Sequence, residues 1–413
     1  GAMKYCSTRG GVSDATFEEA VFTGYAADGG ILLPQEIQPV SMETLKAWSK
    51  LSFVELAKEI MQLTPEVAPV TRLKDDVTIL ELFHGRTWAF KDVALSCVGQ
   101  FINYFCSKSK KHYTIIEHPV IPEARLSRRY GGFRGWISWF FCPEAALDGT
   151  SDDLDLVIKP VFMDGEFRAR HLLTSINSIN WARILMSPDC DKTVEIVVPT
   201  GACGNVTSGC IASKMGLPAR LVCAVTCNDI VARAVSRGDY SVSAGVTPTL
   251  APAMDIQIPY NMERIWHVFS GGDWKLVRSL MDQFELTGAV QVPADLRDKT
   301  YVVSDATVTA TMRRLWEDGH YLPCPHTATA VAYHLHKWDS GNRDPRICIA
   351  TASVAKFREA VEAAQLPVAA DGRVDELLKR PTRYRDLEKD EDWDRAIRDA
   401  VEDINRRRAS GNC

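Results

Sequence analysis

One lysine in the chain stands in a setting that favours covalent chemistry. Lys91 follows Ala89 and Phe90, and a His84-Gly85 turn precedes this run. Burial among apolar neighbours lowers the pKa of a lysine, so that its amine becomes neutral and nucleophilic. Such an amine can form a Schiff base, which is the chemistry that pyridoxal phosphate needs, so Lys91 is a candidate for holding this cofactor. An ordinary surface lysine with a half-buried stem is the alternative that these residues leave open.

A glycine-rich turn is the second candidate site. A strand-like run at Glu195 to Val198 leads into Pro199-Thr200-Gly201-Ala202-Cys203-Gly204-Asn205, and a helix is predicted to follow. In this arrangement successive backbone N–H groups and the positive end of the helix dipole face one point, which suits a dianionic phosphate. The same turn also fits an ordinary connection between a strand and a helix. Neither a Walker pattern nor a Gly-x-Gly-x-x-Gly dinucleotide pattern occurs in the sequence.

The composition is that of a globular enzyme with a small organic ligand. Of the 413 residues, 46% are hydrophobic, and the formal net charge of -5 leaves no basic excess for a nucleic-acid partner. The twelve cysteines follow no framework spacing, so we expect reduced thiols. Cys223 and Cys227 have no matching His or Cys pair nearby, and no metal is predicted. No apolar run of eighteen residues and no signal core is present, which predicts a cytoplasmic protein without a membrane partner.

Apolar runs alternate with amphipathic helical patterns from about residue 76 onward. This alternation predicts an α/β sheet with covering helices. The predicted elements are strands at Val77–Phe83, Tyr113–Ile116, Glu195–Val198 and Leu221–Val225 and a helix over Val93–Phe105. An earlier helical pattern extends from Leu45 to Ile60. A charged helix near the C-terminus carries Trp393, Ile397, Val401 and Ile404 on one stripe, which predicts core packing, with a partner-binding helix as the alternative.

The run His84-Gly85-x-Thr87-x-Ala89-Phe90-Lys91-Asp92 resembles the cofactor-lysine signature of the threonine synthase family. The sequence of this run is most similar to that of the animal threonine synthase-like proteins. The glycine-rich turn has the family's Pro-Thr-Gly-x-x-Gly-Asn wording, and residues 5–10, 175–183, 253–264, 324–327 and 350–357 also resemble the family. The resemblance implies an α/β structure of fold type II, as in the tryptophan synthase β chain, with open sheets, covering helices and a small N-terminal domain.

The resemblance also implies domain boundaries and residue roles. The implied domains are an N-terminal domain at 1–75, a cofactor-binding catalytic domain at 76–365 and a C-terminal helical tail at 366–413. The implied cofactor-binding residues are Gly201, Ala202, Cys203, Gly204, Asn205, Thr351 and Ser353, the last two as candidates for holding the pyridine nitrogen. The implied substrate-binding residues are Asn177, Asn180 and Arg183. For each polar residue taken singly, capping or ordinary hydrogen bonding is the competing interpretation.

The implied activity is the removal of phosphate from an O-phosphorylated amino acid. Threonine synthases add water after phosphate has left, whereas the animal relatives are read as phospho-lyases that release a 2-keto acid and ammonia. The similarity in sequence to the animal relatives favours a phospho-lyase acting on O-phosphothreonine or O-phosphohomoserine, with threonine synthase proper as the alternative. A small phospho-amino acid is therefore the expected partner, and a homodimer is left open.

Residues 117–147 depart from the family's wording. Family members carry Thr-Ser-Gly-Asp-Thr-Gly-Ser-Ala-Ala here, around the cofactor ring, whereas this chain has two prolines and four arginines between residues 117 and 136. A reading shifted by one frame can restore that motif, so we hypothesise that residues 117 to about 142 are an out-of-frame translation. Pieces of the family's sequence also look absent before Leu73, after Pro143 and between Leu185 and Glu195. The middle of the fold is thus expected to be incomplete, and a non-catalytic variant stays an alternative.

Overall fold

The computed structural model of the chain describes residues 3–41, 43–44, 47, 69–85, 88–117, 137–141, 151–174, 193–293, 299–368, 372 and 391–410. The chain divides into two compact units, each assembled from separate stretches. The first unit comprises Gly1–Glu36, Leu95–Ser178 and Glu376–Cys413, and the second comprises Ile37–Ala94 and Ile179–Asp375. The division into three continuous domains that the sequence implies stays a prediction.

Strands and helices alternate along most of the described chain. The strands are β1 (Tyr5–Ser7), β2 (Leu32–Pro34), β3 (Val70–Arg72), β4 (Thr78–Glu81), β5 (Tyr113–Glu117), β6 (Ile137–Phe141), β7 (Leu173–Thr174), β8 (Val194–Pro199), β9 (Ala219–Val225), β10 (Asp239–Ser241), β11 (Ala289–Gln291), β12 (Lys299–Val302) and β13 (Arg346–Ala350). The α-helices are α1 (Phe17–Val21), α2 (Lys91–Ser109), α3 (Ser151–Met163), α4 (Gly165–His171), α5 (Gly204–Lys214), α6 (Ile230–Arg237), α7 (Met262–Phe269), α8 (Trp274–Thr287), α9 (Asp305–Gly319), α10 (Pro325–Asp339), α11 (Arg358–Ala363) and α12 (Trp393–Ala409).

The second unit is built on a six-stranded sheet with the order β12-β9-β8-β13-β4-β3. Neighbouring strands are parallel except for β3, which lies antiparallel to β4 at one edge. All residues of β8 and β13 are buried. Parallel strands that are covered on both faces have such continuous apolar runs. The core of the sheet joins strand residues such as Val197, Val222 and Cys348 to Ala330 and Val331 of helix α10.

The first unit contains two small sheets. β1 and β2 form an antiparallel pair, and β5 lies between β6 and β7 in a parallel three-stranded sheet. Helix α12 packs into its core, because Ile397 and Val401 belong to the same buried cluster as Val161 and Phe162 of helix α3. This packing confirms the core role that the apolar stripe predicts for the C-terminal helix.

The predicted strands and the helix after Val93 are present, with ends that differ by a few residues. The helix begins at Lys91 and extends to Ser109, so the candidate lysine is its first residue. The helical pattern from Leu45 to Ile60 lies almost entirely outside the described residues. The eight cysteines whose side chains are described are free thiols. Across the described ranges, no helix combines the length and the apolar character that crossing a membrane requires.

Replacing Ile397 by alanine tests the packing of helix α12. The Ile397 side chain is fully buried (0% exposed), and we expect Ile397→Ala to lower the free energy of unfolding by about 2–5 kcal/mol because a cavity is left behind. Urea unfolding followed by circular dichroism measures the change. Arg395→Ala is the matched control on the same helix, since the Arg395 side chain is 79% exposed and its loss should change stability by less than about 0.5 kcal/mol. Equal effects of the two changes would contradict the core role.

Candidate functional site

Three loops of the second unit leave the sheet at the same edge. The parallel strands β8, β13 and β4 are neighbours, with Cys348 opposite both Val197 and Ile79 and Ala350 opposite Glu81. Their carboxyl ends therefore lie level with one another. Because neighbouring strands are about 4.8 Å apart, the outer two loops leave the sheet about 10 Å from each other. Parallel sheets bind their ligands at this edge.

Lys91 is held beside the loop that follows β13. The strap of residues 88–90, directly before Lys91, forms an antiparallel bridge in which Ala89 lies opposite Ala352. The Phe90 N–H donates to the Thr351 carbonyl oxygen over 2.7 Å, and the Ser353 N–H donates to the Trp88 carbonyl oxygen over 3.0 Å. Lys91 itself is half-buried. The structure thus brings Lys91, Thr351 and Ser353 into one neighbourhood.

The two candidate hydroxyls have different surroundings. Thr351 is buried beside Cys324, whose thiol lies 3.1 Å from the Thr327 hydroxyl at the start of helix α10. Burial raises the pKa of the Cys324 thiol, although hydrogen bonds from Thr327 and Thr351 oppose this. The Ser353 hydroxyl accepts from the Ala355 N–H over 3.4 Å and caps a short 3₁₀ helix. Ser353 therefore fills the capping role that competes with its predicted one, and Thr351 is the better candidate for a ligand contact.

The glycine-rich turn has the form of an anion cradle. β8 ends at Pro199, and helix α5 begins at Gly204 after Cys203 with a left-handed backbone (φ +64°). The first N–H groups of a helix have no partner inside the helix, so those of residues 204–206 can point at a ligand. Burial raises the pKa of the Cys203 thiol far above its ordinary value. The neutral thiol adds no negative charge to a site that would receive phosphate.

Close backbone packing shapes the cradle at Gly201. A Cβ atom on Gly201 would lie 2.6 Å from the Ala253 carbonyl oxygen and 3.0 Å from the Met254 Cα. Only glycine allows this approach. The Asn205 amide oxygen is buried, and among the described residues no group donates to it. This oxygen is an acceptor, so it can receive a donor but does not bind a phosphate dianion. The donors that fit the phosphate of the cofactor are the backbone N–H groups at the start of helix α5.

A half-buried carboxylate supports the segment that packs on Gly201. Asp255 accepts from the Thr249 N–H and hydroxyl over 2.7 Å each and from the Asn228 amide over 2.9 Å. Burial, helped by the negative charge of Asp305, raises the pKa of Asp255 to about 6 in spite of these bonds. In the sequence, the Ala253-Met254-Asp255-Ile256 run was notable only for its resemblance to the family. No nearby pattern predicted its contact with Gly201.

Three predicted residues lie outside the described part of the chain, and one polar cluster adds to the candidate site. Asn177, Asn180 and Arg183 lie outside the described residues. A polar cluster at the end of β4 was not predicted from the sequence. In this cluster Glu81 forms a hydrogen bond with His84, which belongs to the loop that leads to Lys91. Its third member, Tyr321, comes from a position 240 residues away. The sequence feature that pointed to this cluster was the His84-Gly85 pair of the family signature.

The comparisons with known proteins agree with this geometry. Family models match for "Threonine synthase N terminus" at residues 4–79 and "Threonine synthase, C-terminal" at residues 327–401. Threonine synthase-like 2 of Rattus norvegicus is 40% identical over 475 aligned residues, covering 98% of both chains. The aligned length exceeds the 413 residues of this chain, so that relative carries internal segments that are absent here, as predicted.

Solved structures show the same fold. A pyridoxal-phosphate-bound threonine synthase from Brucella melitensis has a TM-score of 0.81 and 28% identity, covering 97% of this chain and 99% of that one. Threonine synthase from yeast also has a TM-score of 0.81 and 28% identity, covering 96% and 98%. The fold is that of the pyridoxal-phosphate enzymes of fold type II, as predicted. Within that class, the chain belongs to the threonine synthase family.

Adding one methyl group at Gly201 tests the cradle. We expect Gly201→Ala to weaken the binding of pyridoxal phosphate and to lower the free energy of unfolding by about 1–3 kcal/mol, because the new Cβ displaces residues 253–254. Spectroscopic titration and urea unfolding measure the two effects. Gly245→Ala is the control in the same unit, since a Cβ there meets nothing within 4 Å. A Gly201→Ala variant that behaves like this control would show that the close packing is unimportant.

The raised pKa of Asp255 predicts a pH dependence. The folded protein binds this proton more tightly than the unfolded chain, whose ordinary value is 3.8, so stability is lost as the pH rises from about 4 to about 6. Asp255→Asn removes this titration. The free energy of unfolding of the variant minus that of the wild type should therefore increase between pH 4 and 6 and level off above pH 7. Urea unfolding at several pH values measures it, and a difference that is flat across this range contradicts the shift.

Proposed function

We propose that the chain is a pyridoxal-phosphate-dependent phospho-lyase for O-phosphorylated amino acids of the O-phosphothreonine or O-phosphohomoserine class. The substrate and one water would give a 2-keto acid, ammonia and inorganic phosphate. The observation that carries the proposal is the backbone pairing of the strap with residues 351–353, in which the residue before Lys91 donates to the Thr351 carbonyl oxygen. The resemblance to Threonine synthase-like 2 supports the choice of a lyase within the family.

Each site residue has a defined task in this proposal. Pyridoxal phosphate, when bound, withdraws electrons from the α-carbon of an amino acid. Lys91 would hold the cofactor covalently, and its amine would be the base that takes the α-proton. The backbone N–H groups of residues 201–205 would bind the cofactor phosphate. The Thr351 hydroxyl would hold the pyridine nitrogen, and the neighbouring Cys324 thiol would orient that hydroxyl.

Asn177, Asn180 and Arg183 complete the proposal as substrate-binding residues, on the strength of the family resemblance alone. Threonine synthase proper is the second candidate, because the matched family models and the yeast relative carry that name. The products distinguish the two reactions. O-phosphohomoserine gives threonine in a synthase and 2-oxobutanoate with ammonia in a phospho-lyase.

Removing the Lys91 amine should abolish both cofactor attachment and turnover. The purified wild type, incubated with pyridoxal phosphate, is expected to show the visible absorbance of a lysine-bound cofactor. Borohydride reduction should then fix the cofactor on the peptide that contains Lys91. Lys91→Ala is expected to lose the absorbance, the labelled peptide and the release of phosphate and 2-oxobutanoate from O-phosphothreonine.

Lys74→Ala is the matched control, because the Lys74 side chain is 63% exposed and pairs with Asp318 away from the strap. It should retain all three signals. A wild type that stays colourless after addition of the cofactor would favour the non-catalytic alternative. Label on another lysine would show that the assignment of Lys91 is wrong.

A further inference from the structure

A histidine and a buried carboxylate form a close pair at the carboxyl end of β4. The Nε2 atom of His84 lies 2.6 Å from Oε2 of Glu81, and the two side chains are 39% and 10% exposed. The imidazole ring also stacks on the ring of Phe83, with 4.7 Å between the centroids. The pair thus joins a fixed carboxylate to a histidine that remains accessible to a ligand.

Two further donors hold Glu81 in place. The Tyr321 hydroxyl donates to its Oε1 over 2.9 Å, and the Thr71 hydroxyl donates to the same atom over 3.0 Å. Burial and the negative charge of Glu81 raise the pKa of Tyr321, so the phenol stays protonated and remains a donor. A carboxylate with donors on both oxygens cannot rotate freely, and it therefore fixes the orientation of the His84 ring.

The loop that carries His84 turns back onto the start of helix α2. A Cβ atom on Gly85 would lie 2.6 Å from the carboxyl carbon of Asp92, the residue after Lys91. The backbone next to His84 is therefore in contact with the neighbour of the candidate lysine. Because this contact is made by the residue that follows His84, the accessible imidazole lies in the same part of the second unit as Lys91.

We propose that His84 binds the phosphate group of the amino-acid substrate and that Glu81 is its positioning residue. This inference rests on the proposed function. The cofactor phosphate is assigned to the backbone donors of residues 201–205, so the second phosphate, on the substrate, needs a donor of its own. A carboxylate at Nε2 and a phosphate at Nδ1 would each accept one N–H of the imidazole ring, so the ring can join the two anions.

The same contact assists the departure of phosphate. When the carbon–oxygen bond breaks, its electron pair stays on the bridging oxygen, and the leaving phosphate gains negative charge. The Nδ1–H group of the imidazole stabilises this charge through a hydrogen bond and needs to transfer no proton. Glu81 keeps the ring oriented throughout the step.

Three variants test the pair, each loaded with pyridoxal phosphate before measurement. We expect His84→Gln to weaken inhibition by inorganic phosphate, and to raise KM for O-phosphothreonine, about 10- to 100-fold, as for the loss of one hydrogen bond to a charged group. Binding of unphosphorylated threonine, followed by spectroscopic titration, should change less than about twofold. His84→Lys should recover much of the phosphate affinity because it restores an N–H donor. Glu81→Gln should weaken phosphate binding less than His84→Gln does.

Lys74→Ala is the control, because the Lys74 side chain is 63% exposed and pairs with Asp318 and not with Glu81 or His84, and it should leave the inhibition constant for phosphate unchanged. An unchanged inhibition constant for phosphate in His84→Gln overturns the inference. Equal weakening for phosphate and threonine also overturns it, since a merely structural role would give that result. If His84→Gln does not fold, the other two variants decide the test. The inference is then wrong if His84→Lys and Glu81→Gln change the binding of phosphate and of threonine equally. A wild type that takes up no cofactor instead contradicts the proposed function.

Discussion

The hydrogen bond from the Phe90 N–H to the Thr351 carbonyl oxygen is the contact on which the candidate site depends. It belongs to a short antiparallel bridge between the strap at 88–90 and residues 351–353. Without it, the lysine at the start of helix α2 would have no fixed relation to the loop after β13. Backbone pairing of this kind places side chains with little dependence on their own chemistry. The site can therefore hold a flexible, half-buried lysine in one place.

A buried ion pair near the other ends of the strands helps to hold the three loops at the same height. Arg346 and Glu195 lie opposite each other in β13 and β8, and Arg346 Nε binds Glu195 Oε2 over 2.9 Å with both side chains almost completely buried. A buried ion pair adds little net stability. A slip of one residue between β13 and β8 would nevertheless separate the partners and leave the Arg346 guanidinium buried without its carboxylate. The pair therefore specifies the register, and the register decides that the cradle and Thr351 leave the sheet at the same height.

Local patterns predicted the local parts of this structure. The turn at 199–205 could be found because an apolar strand, a glycine-rich turn and a helix follow one another directly, whereas Lys91 was identified through the resemblance of residues 84–92 to the family signature. The strands β8 and β9 could be found as continuous apolar runs. The Glu81, His84 and Tyr321 cluster could not, because it depends on which strands are neighbours and on side chains far apart in sequence. The packing of residues 253–254 on Gly201 likewise leaves no trace in the spacing of the residues.

The segment that departs from the family's wording lies in a different unit from the described site residues. Strand β6, at 137–141, falls within residues 117–142, and it pairs with β5 over five residues, so this part of the chain contributes to the first unit's parallel sheet. Residues 118–136 lie outside the described residues, and their out-of-frame origin stays a hypothesis. Lys91, the cradle, Thr351 and Ser353 all belong to the second unit. Their arrangement follows from the six-stranded sheet and from the bridge between residues 88–90 and 351–353, and both lie within the second unit, so the altered segment does not remove the lysine, the phosphate cradle or the buried hydroxyl.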